Sequence, residues 1–113
     1  MIKAVNRDMT DKIYTKEEIR EIVKPIAINR NITRVFLFGS YARNEATRES
    51  DLDFCIDAPS IKSVFTISGI RRDLCNAFGK DIDLITQSSL QYNKDRAFVE
   101  TVNRERELVY GKG

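Results

Sequence analysis

The chain has 113 residues, a length typical of a single domain, and its 19 lysines and arginines nearly balance its 17 aspartates and glutamates. A net charge of +2 does not indicate nucleic acid as the main partner, because a mixed-charge surface in water accounts for it. The chain has no histidine. This excludes Ser-His-Asp and Cys-His catalysis and removes the commonest zinc ligand.

The cysteines and the apolar segments favour a cytoplasmic location. Cys55 and Cys75 form no zinc-like or redox pattern, so we expect reduced thiols that fill space in the interior. The first residues contain no apolar stretch of the kind found in signal peptides. The apolar run at 35–38 is too short to span a membrane.

The N-terminal part divides into a lead-in and the start of a helix. Residues 1–13 lack periodicity and are expected to be a flexible lead-in, with the domain over 14–113. Thr15 and Glu18 are spaced as a capping box, and apolar residues follow at helical spacing. We expect this helix to end at 29–31, with a kink or change of geometry at Pro25.

Three segments are typical of β-strands, and a fourth is a short extended tail. Residues 34–38 form an apolar run expected in a buried strand. Residues 52–56 and 81–86 alternate, so each is expected to bury an apolar face and to present aspartates on the other. Residues 108–110 are the extended tail.

Two further helices complete the predicted fold. Apolar residues over 67–78 recur at helical spacing, and Gly79 is a plausible C-cap. Ser88 or Ser89 is expected to cap a last helix around 97–102. The order of elements predicts one compact α/β (α+β) domain, with a small mixed sheet of about three core strands and helices packed on it.

Gly39 and Ser40 stand where the first strand passes into a helix. Free backbone N–H groups at such a turn, together with the helix dipole, attract anions. Glycine lets the backbone approach a ligand closely, and the serine hydroxyl adds a donor. An ordinary turn is the alternative interpretation, because this pair is common in turns.

Asp51 and Asp53 are separated by one residue on the second strand. Alternate residues on a strand share a face, with Cα atoms roughly 6.5 Å apart, and paired catalytic metals lie about 3.5–4 Å from each other. Oxygen ligands without histidine favour magnesium or manganese. An isolated pair of this kind is also common on ordinary polar strand faces.

Asp81 and Asp83 repeat that spacing on the third strand. If the two strands are neighbours, one of these residues joins the first pair. Three converging carboxylates are costly unless a cation lies among them. Together with the anion-binding turn, they predict a metal-bound polyphosphate held for attack at phosphorus.

These motifs together resemble the signature of the minimal nucleotidyltransferases of the DNA polymerase β-like superfamily. The signature is Gly-Ser, a spacer and Asp-X-Asp on the next strand, as in residues 39–43 and 50–54 with Ala46 between them. The resemblance extends from about Thr15 to Tyr110, through KDIDLIT and RERELVY, and implies the polymerase β-like nucleotidyltransferase fold.

One position departs from the family pattern. Asn44 stands where the family usually has glycine. Because asparagine tolerates the left-handed conformation better than most residues, we expect the turn to persist.

The resemblance implies roles for individual residues. Gly39 and Ser40 would hold the terminal phosphates of the nucleotide. Asp51 and Asp53 would bind two Mg²⁺ ions, with Mn²⁺ as an alternative. Asp83 would ligate the catalytic metal and help to deprotonate the attacking hydroxyl.

Two assignments stay open at this point. Asp81 is the fallback for the third carboxylate. Arg43 either contacts phosphate or acceptor, or forms an ion pair with Glu45 or Glu49 on the surface.

The resemblance also implies a partner. Similar proteins of this size are often antitoxins that adenylylate a tyrosine of a HEPN-family toxin, so the implied donor is ATP and the implied acceptor is such a toxin. Nucleotidyl transfer to a small molecule such as an aminoglycoside is an alternative that would need a second domain or a homo-oligomer. A non-catalytic antitoxin, and a structural domain with incidental acidic faces, are the others.

Overall fold

A mixed sheet of four strands forms the centre of the computed structural model, which describes residues 10–112. In chain order the elements are α1 Lys16–Asn29, β1 Arg34–Phe38, α2 Gly39–Ala42, β2 Leu52–Asp57, α3 Val64–Phe78, β3 Ile82–Thr86, α4 Gln87–Gln91, α5 Arg96–Glu105 and β4 Glu107–Tyr110. The strand order is β3-β2-β1-β4. β1 is antiparallel to β2 and β4, whereas β2 is parallel to β3.

This architecture confirms the predicted fold class and adds one strand to the predicted sheet. Residues 108–110, expected to be a tail, belong to β4 and pair with β1. Pairing of a C-terminal segment with a strand more than 60 positions earlier depends on tertiary contacts, which local sequence does not reveal.

Helices cover both faces of the sheet. Leu37, Phe54 and Ile56 are fully buried on the face that carries α1 and α3. Phe36 and Cys55 are buried on the opposite face, where α4 and α5 pack. Cys55 therefore fills space in the interior, as predicted, and the strands are held from both sides.

The N-terminal helix begins as predicted. The Thr15 hydroxyl accepts a hydrogen bond from the backbone N–H of Glu18 at 3.1 Å, and the Glu18 carboxylate accepts one from Thr15 at 2.9 Å. The helix continues through Pro25 to Asn29. Pro25 is exposed, so water can satisfy the carbonyl group that lacks a donor there.

The start of the described chain contacts the end of α3. Residues 1–9 of the predicted lead-in lie outside the described residues. The backbone N–H of Thr10 donates to the carbonyl of Gly79 at 2.8 Å. Gly79 itself has φ of 66°, which confirms it as the C-cap of α3. Within residues 10–112, no helix is long and apolar enough to cross a membrane.

The predicted last helix around 97–102 is confirmed as α5, but its predicted cap is wrong, because a separate short helix, α4, precedes it. Thr86 caps α4 by accepting from the backbone N–H of Ser89 at 3.0 Å, so Ser89 lies inside the helix. Asp95 caps α5 by accepting from the N–H of Phe98 at 3.1 Å. Neither Ser88 nor Ser89 is therefore a helix cap.

The separate cap of α5 leads to a stability prediction. Replacing Asp95 with alanine leaves a backbone N–H of the first turn without its acceptor, and we expect a loss of about 1 kcal/mol in the free energy of unfolding. Urea denaturation measures this loss. Glu100→Ala, an exposed position on the same helix, should change the free energy by less than about 0.5 kcal/mol; equal effects would contradict the assignment.

Candidate active site

The candidate site lies where β1 ends and where β2 and β3 begin. Antiparallel pairing places Phe38 opposite Asp53. Parallel pairing places Asp53 opposite Asp83. Because Gly39 follows Phe38 directly, three segments that are distant in sequence meet at one end of the sheet.

Gly39 lies directly against the Asp53 carboxylate. Its φ is +76°, and a Cβ atom at this position would lie 2.1 Å from Oδ2 of Asp53. That separation is far below van der Waals contact, and the positive φ disfavours side chains as well. A side chain here would have to displace this carboxylate and adopt a strained φ, so glycine is strongly favoured, and the group that approaches its backbone closely is a carboxylate of the same chain.

The turn after Gly39 is built from two left-handed residues. Asn44 has φ of 60°, which confirms the conformation expected where the family usually has glycine. The helix α2 begins at Gly39 and has four residues, of which Tyr41 is buried in the core. Such a short helix has only a small dipole, so its unpaired first N–H groups are what the turn offers to an anion.

Asp53 is the electrostatic centre of the site. Its pKa is raised to about 6, first by burial and then by the negative charges of Asp83 and Asp51, whereas Arg43 acts in the opposite direction. Asp51 and Asp83 are both exposed. The negative form of this partly buried carboxyl group is therefore disfavoured by its surroundings.

The register distinguishes Asp83 from Asp81. Asp83 is the direct neighbour of Asp53 across the parallel pair, and its charge acts on the pKa of Asp53. Asp81 precedes β3, and its backbone carbonyl accepts a hydrogen bond from Leu52 at 3.2 Å. The geometry thus favours Asp83 over the fallback as the third carboxylate.

The chemistry of these side chains fits divalent cations. The available donors are carboxylate oxygens, which suit Mg²⁺ or Mn²⁺, and the raised pKa of Asp53 reports negative charge that a cation would neutralise. Among residues 10–112, no three such side chains already surround one point as ligands.

Arg43 forms ion pairs on the surface of the site. Its Nε lies 2.9 Å from Oε1 of Glu45, and its Nη1 lies 2.9 Å from Oε1 of Glu105. The pair with Glu45 is one of the predicted alternatives. The contact with Glu105 was not predicted, and it connects α5 to the turn that follows Gly39.

Arg71 is a second contact that the sequence interpretation missed. Its Nε donates to the backbone carbonyl of Ile82 at 2.9 Å. β3 is an edge strand, so this carbonyl has an unpaired side that the arginine can satisfy. Ile82 directly precedes Asp83, and α3 therefore helps to hold the segment that carries this carboxylate.

The site opens onto the surface. Asp83 is exposed, and an adjoining cleft of about 260 Å³ is lined by Asp51, Asp81 and Lys80, among others. The carboxylate of Asp51 can therefore be reached from outside.

Comparison with known proteins identifies the family. The model of the nucleotidyltransferase domain family matches residues 16–104. The chain belongs to this family. The signature of Gly39, Ser40, Asp51 and Asp53 lies within the matched region.

Curated relatives of this nucleotidyltransferase cover most of its length. The protein adenylyltransferase MntA of Thermococcus cleftensis is 32% identical over 102 residues, which span 87% of this chain and 97% of that protein. A Methanocaldococcus jannaschii protein, whose name proposes a protein adenylyltransferase activity, is 33% identical over 87 residues. The match spans 76% of this chain and 94% of that protein.

Solved structures share the nucleotidyltransferase fold. A structure assigned to a minimal nucleotidyltransferase has a TM-score of 0.66 and 26% identity, covering 83% of this chain and 95% of that chain. A Shewanella oneidensis complex of a tri-AMPylated HEPN toxin with its MNT antitoxin has a TM-score of 0.64 and 16% identity, covering 87% and 74%. A toxin–antitoxin structure with AMP-PNP has a TM-score of 0.67 and 19% identity, covering 82% and 73%.

The raised pKa of Asp53 leads to a pH-dependent stability prediction for metal-free protein. An unfolded aspartate titrates near pH 4, so between pH 4 and 6 the folded state holds a proton that the unfolded state releases. The contribution of this group is therefore greatest below pH 4 and falls as the pH rises through 6. Asp53→Asn, which mimics the protonated form, should stabilise the protein at pH 7.

Thermal unfolding at pH 7 and pH 4 measures this difference. The upper bound is about 3 kcal/mol at pH 7, from about 1.4 kcal/mol for each pK unit, and solvent screening at this partly exposed site should reduce it. The gain should shrink towards zero at pH 4. Glu100→Gln serves as the control, and an Asp53→Asn protein that is less stable at pH 7 would contradict the electrostatic account.

The contact between Gly39 and Asp53 leads to a second prediction. Gly39→Ala should displace the Asp53 carboxylate and strain the turn, with a loss of about 1–3 kcal/mol in the free energy of unfolding. Asn44 occupies the other left-handed position of the same turn, and Asn44→Gly should leave the free energy of unfolding unchanged or raise it slightly. Urea denaturation of both variants provides the test, and equal stability of Gly39→Ala and wild type would refute the contact.

Proposed function

We propose that this nucleotidyltransferase moves AMP from ATP to a hydroxyl group of a protein, and that the acceptor is a HEPN-type toxin with which it forms a toxin–antitoxin pair. The observation that carries the proposal is the similarity to MntA, a protein adenylyltransferase, over nearly the full length of both chains. The likeness to toxin–antitoxin complexes in fold is consistent with it.

The turn and the carboxylates have separate roles in this proposal. Backbone N–H groups of Gly39 and Ser40 bind the terminal phosphates of ATP. Asp51, Asp53 and Asp83 hold two Mg²⁺ ions, and the fit of their oxygen donors supports this assignment. Bound divalent cations would neutralise the triphosphate and polarise its α-phosphorus.

Asp83 is proposed to accept the proton of the attacking hydroxyl. It is exposed and lies on the edge strand, whereas Asp53 lies on an inner strand and is partly buried. Asp83 is therefore more accessible than Asp53 to a hydroxyl on another protein. A bond forms between the hydroxyl oxygen and the α-phosphorus, the bond to the bridging oxygen breaks, and pyrophosphate leaves.

Arg43 is proposed to contact the nucleotide after leaving its acidic partners. Its ion pairs with Glu45 and Glu105 are partly exposed, and exposed pairs contribute little stability. A triphosphate can therefore compete with them for the guanidinium group.

The experiment is label transfer from ATP to proteins in a lysate of the source cell. With Mg²⁺ and [α-³²P]ATP, we expect one labelled band, and no band with [γ-³²P]ATP, because AMP rather than phosphate is transferred. Asp83→Asn should reduce labelling by at least about a hundredfold, consistent with loss of a general base. Asp81→Asn should retain labelling.

Other outcomes separate the alternatives. Label in a small molecule instead of a protein would support the small-molecule transferase. Neutralisation of the toxin by Asp83→Asn at wild-type level, with no labelled band from either protein, would support an antitoxin that acts by binding alone. Either outcome would overturn the proposed protein acceptor.

A further inference from the structure

Lys80 is a buried cation outside the proposed set of catalytic residues. Its side chain and backbone are only 4% exposed, and it is the one charged residue that is fully buried within 10–112. Its Nζ donates to the backbone carbonyl of Arg48 at 2.9 Å and to that of Thr10 at 3.3 Å. Because burial of an ammonium group is costly, a lysine in this place calls for a specific role.

The contact with Arg48 holds the loop that leads to Asp51. Ser50 closes this loop: its hydroxyl accepts from the backbone N–H of Thr47 at 2.8 Å, and its N–H donates to the Thr47 carbonyl at 3.1 Å. Arg48 lies inside the closed turn, so its carbonyl is a rigid point of attachment. Asp51 follows the turn directly.

Lys80 also stands at the start of the segment that carries Asp83. The backbone carbonyl of the next residue, Asp81, accepts a hydrogen bond from the backbone N–H of Leu52 at 3.2 Å. The loop before β2 and the segment before β3 are thus joined twice, by a lysine side chain and by a backbone hydrogen bond. These two contacts, at Arg48 and Leu52, lie on either side of Asp51 in the chain. Asp51 itself belongs to no helix or strand.

We infer that Lys80 is a positioning residue, whose buried ammonium group holds the Thr47–Ser50 turn so that Asp51 stays close to Asp53 and Asp83. This inference rests on the proposed function, in which Asp51 is a metal ligand. Lys80 acts through the backbone carbonyl of Arg48. Its loss should therefore weaken the binding of the cation and leave the nucleotide-binding turn intact.

The test compares Lys80→Met, which keeps the length of the apolar stem, with Lys80→Arg, which keeps charge and donors. Lys24→Met, at an exposed position, is the matched control. Binding of Mn²⁺ in the presence of α,β-methylene ATP is measured by electron paramagnetic resonance. Each protein is assayed well below its melting temperature, so that unfolded protein does not contribute.

We expect Lys80→Met to weaken Mn²⁺ binding about tenfold, the lower end of the usual effect of residues that orient metal ligands. Lys80→Arg should recover most of this loss, and Lys24→Met should match wild type. If Lys80→Met does not fold, Ser50→Ala loosens the same turn without leaving a buried position empty, and it should weaken Mn²⁺ binding in the same direction.

The outcomes separate this inference from the proposed function. Wild-type Mn²⁺ affinity in folded Lys80→Met, or in Ser50→Ala if only that variant folds, would overturn the inference alone, because the lysine would then serve only the fold. Absence of Mn²⁺ and nucleotide binding in wild type would overturn the proposed function, and the inference with it.

Discussion

Burial of the Asp53 carboxylate beside other carboxylates at one end of the sheet is the constraint on which this structure depends. Parallel pairing sets Asp53 beside Asp83, and Asp51 adds a third charge to the same neighbourhood. Like charges this close favour protonation or separation. The fold must therefore hold them together by other means, and bound divalent cations would relieve the repulsion.

The sheet supplies the necessary rigidity. Phe54, next to Asp53 in sequence, is fully buried beneath α1 and α3, and Cys55 is fully buried on the other face. Burial of a large side chain such as Phe54 stabilises the fold by roughly 1.5–3 kcal/mol. This gain is comparable with the upper bound of about 3 kcal/mol for the cost of charging Asp53 at pH 7. β2 is thus anchored on both faces immediately after Asp53. Proteins often accept a loss of stability at residues that serve function, and the packing of β2 offsets such a loss here.

Local sequence could predict much of the fold and the composition of the site. The capping box at Thr15, the alternation in β2 and the glycine at Gly39 each follow from short-range physical rules. The two-helix ending escaped prediction because Thr86 and Asp95 compete with nearby serines as caps. The contacts of Lys80 and Arg71 could not be predicted, because both side chains donate to backbone carbonyls of other segments. Such acceptors have no signature in a sequence.

The most direct test of the account is a crystal structure of the protein with Mn²⁺ and α,β-methylene ATP. Anomalous scattering would locate the metal without reference to any assumed site. The account predicts Mn²⁺ bound by the carboxylates of Asp51, Asp53 and Asp83, with the triphosphate against Gly39 and Ser40. Nucleotide bound elsewhere, or Mn²⁺ held by Asp81 in place of Asp83, would contradict it.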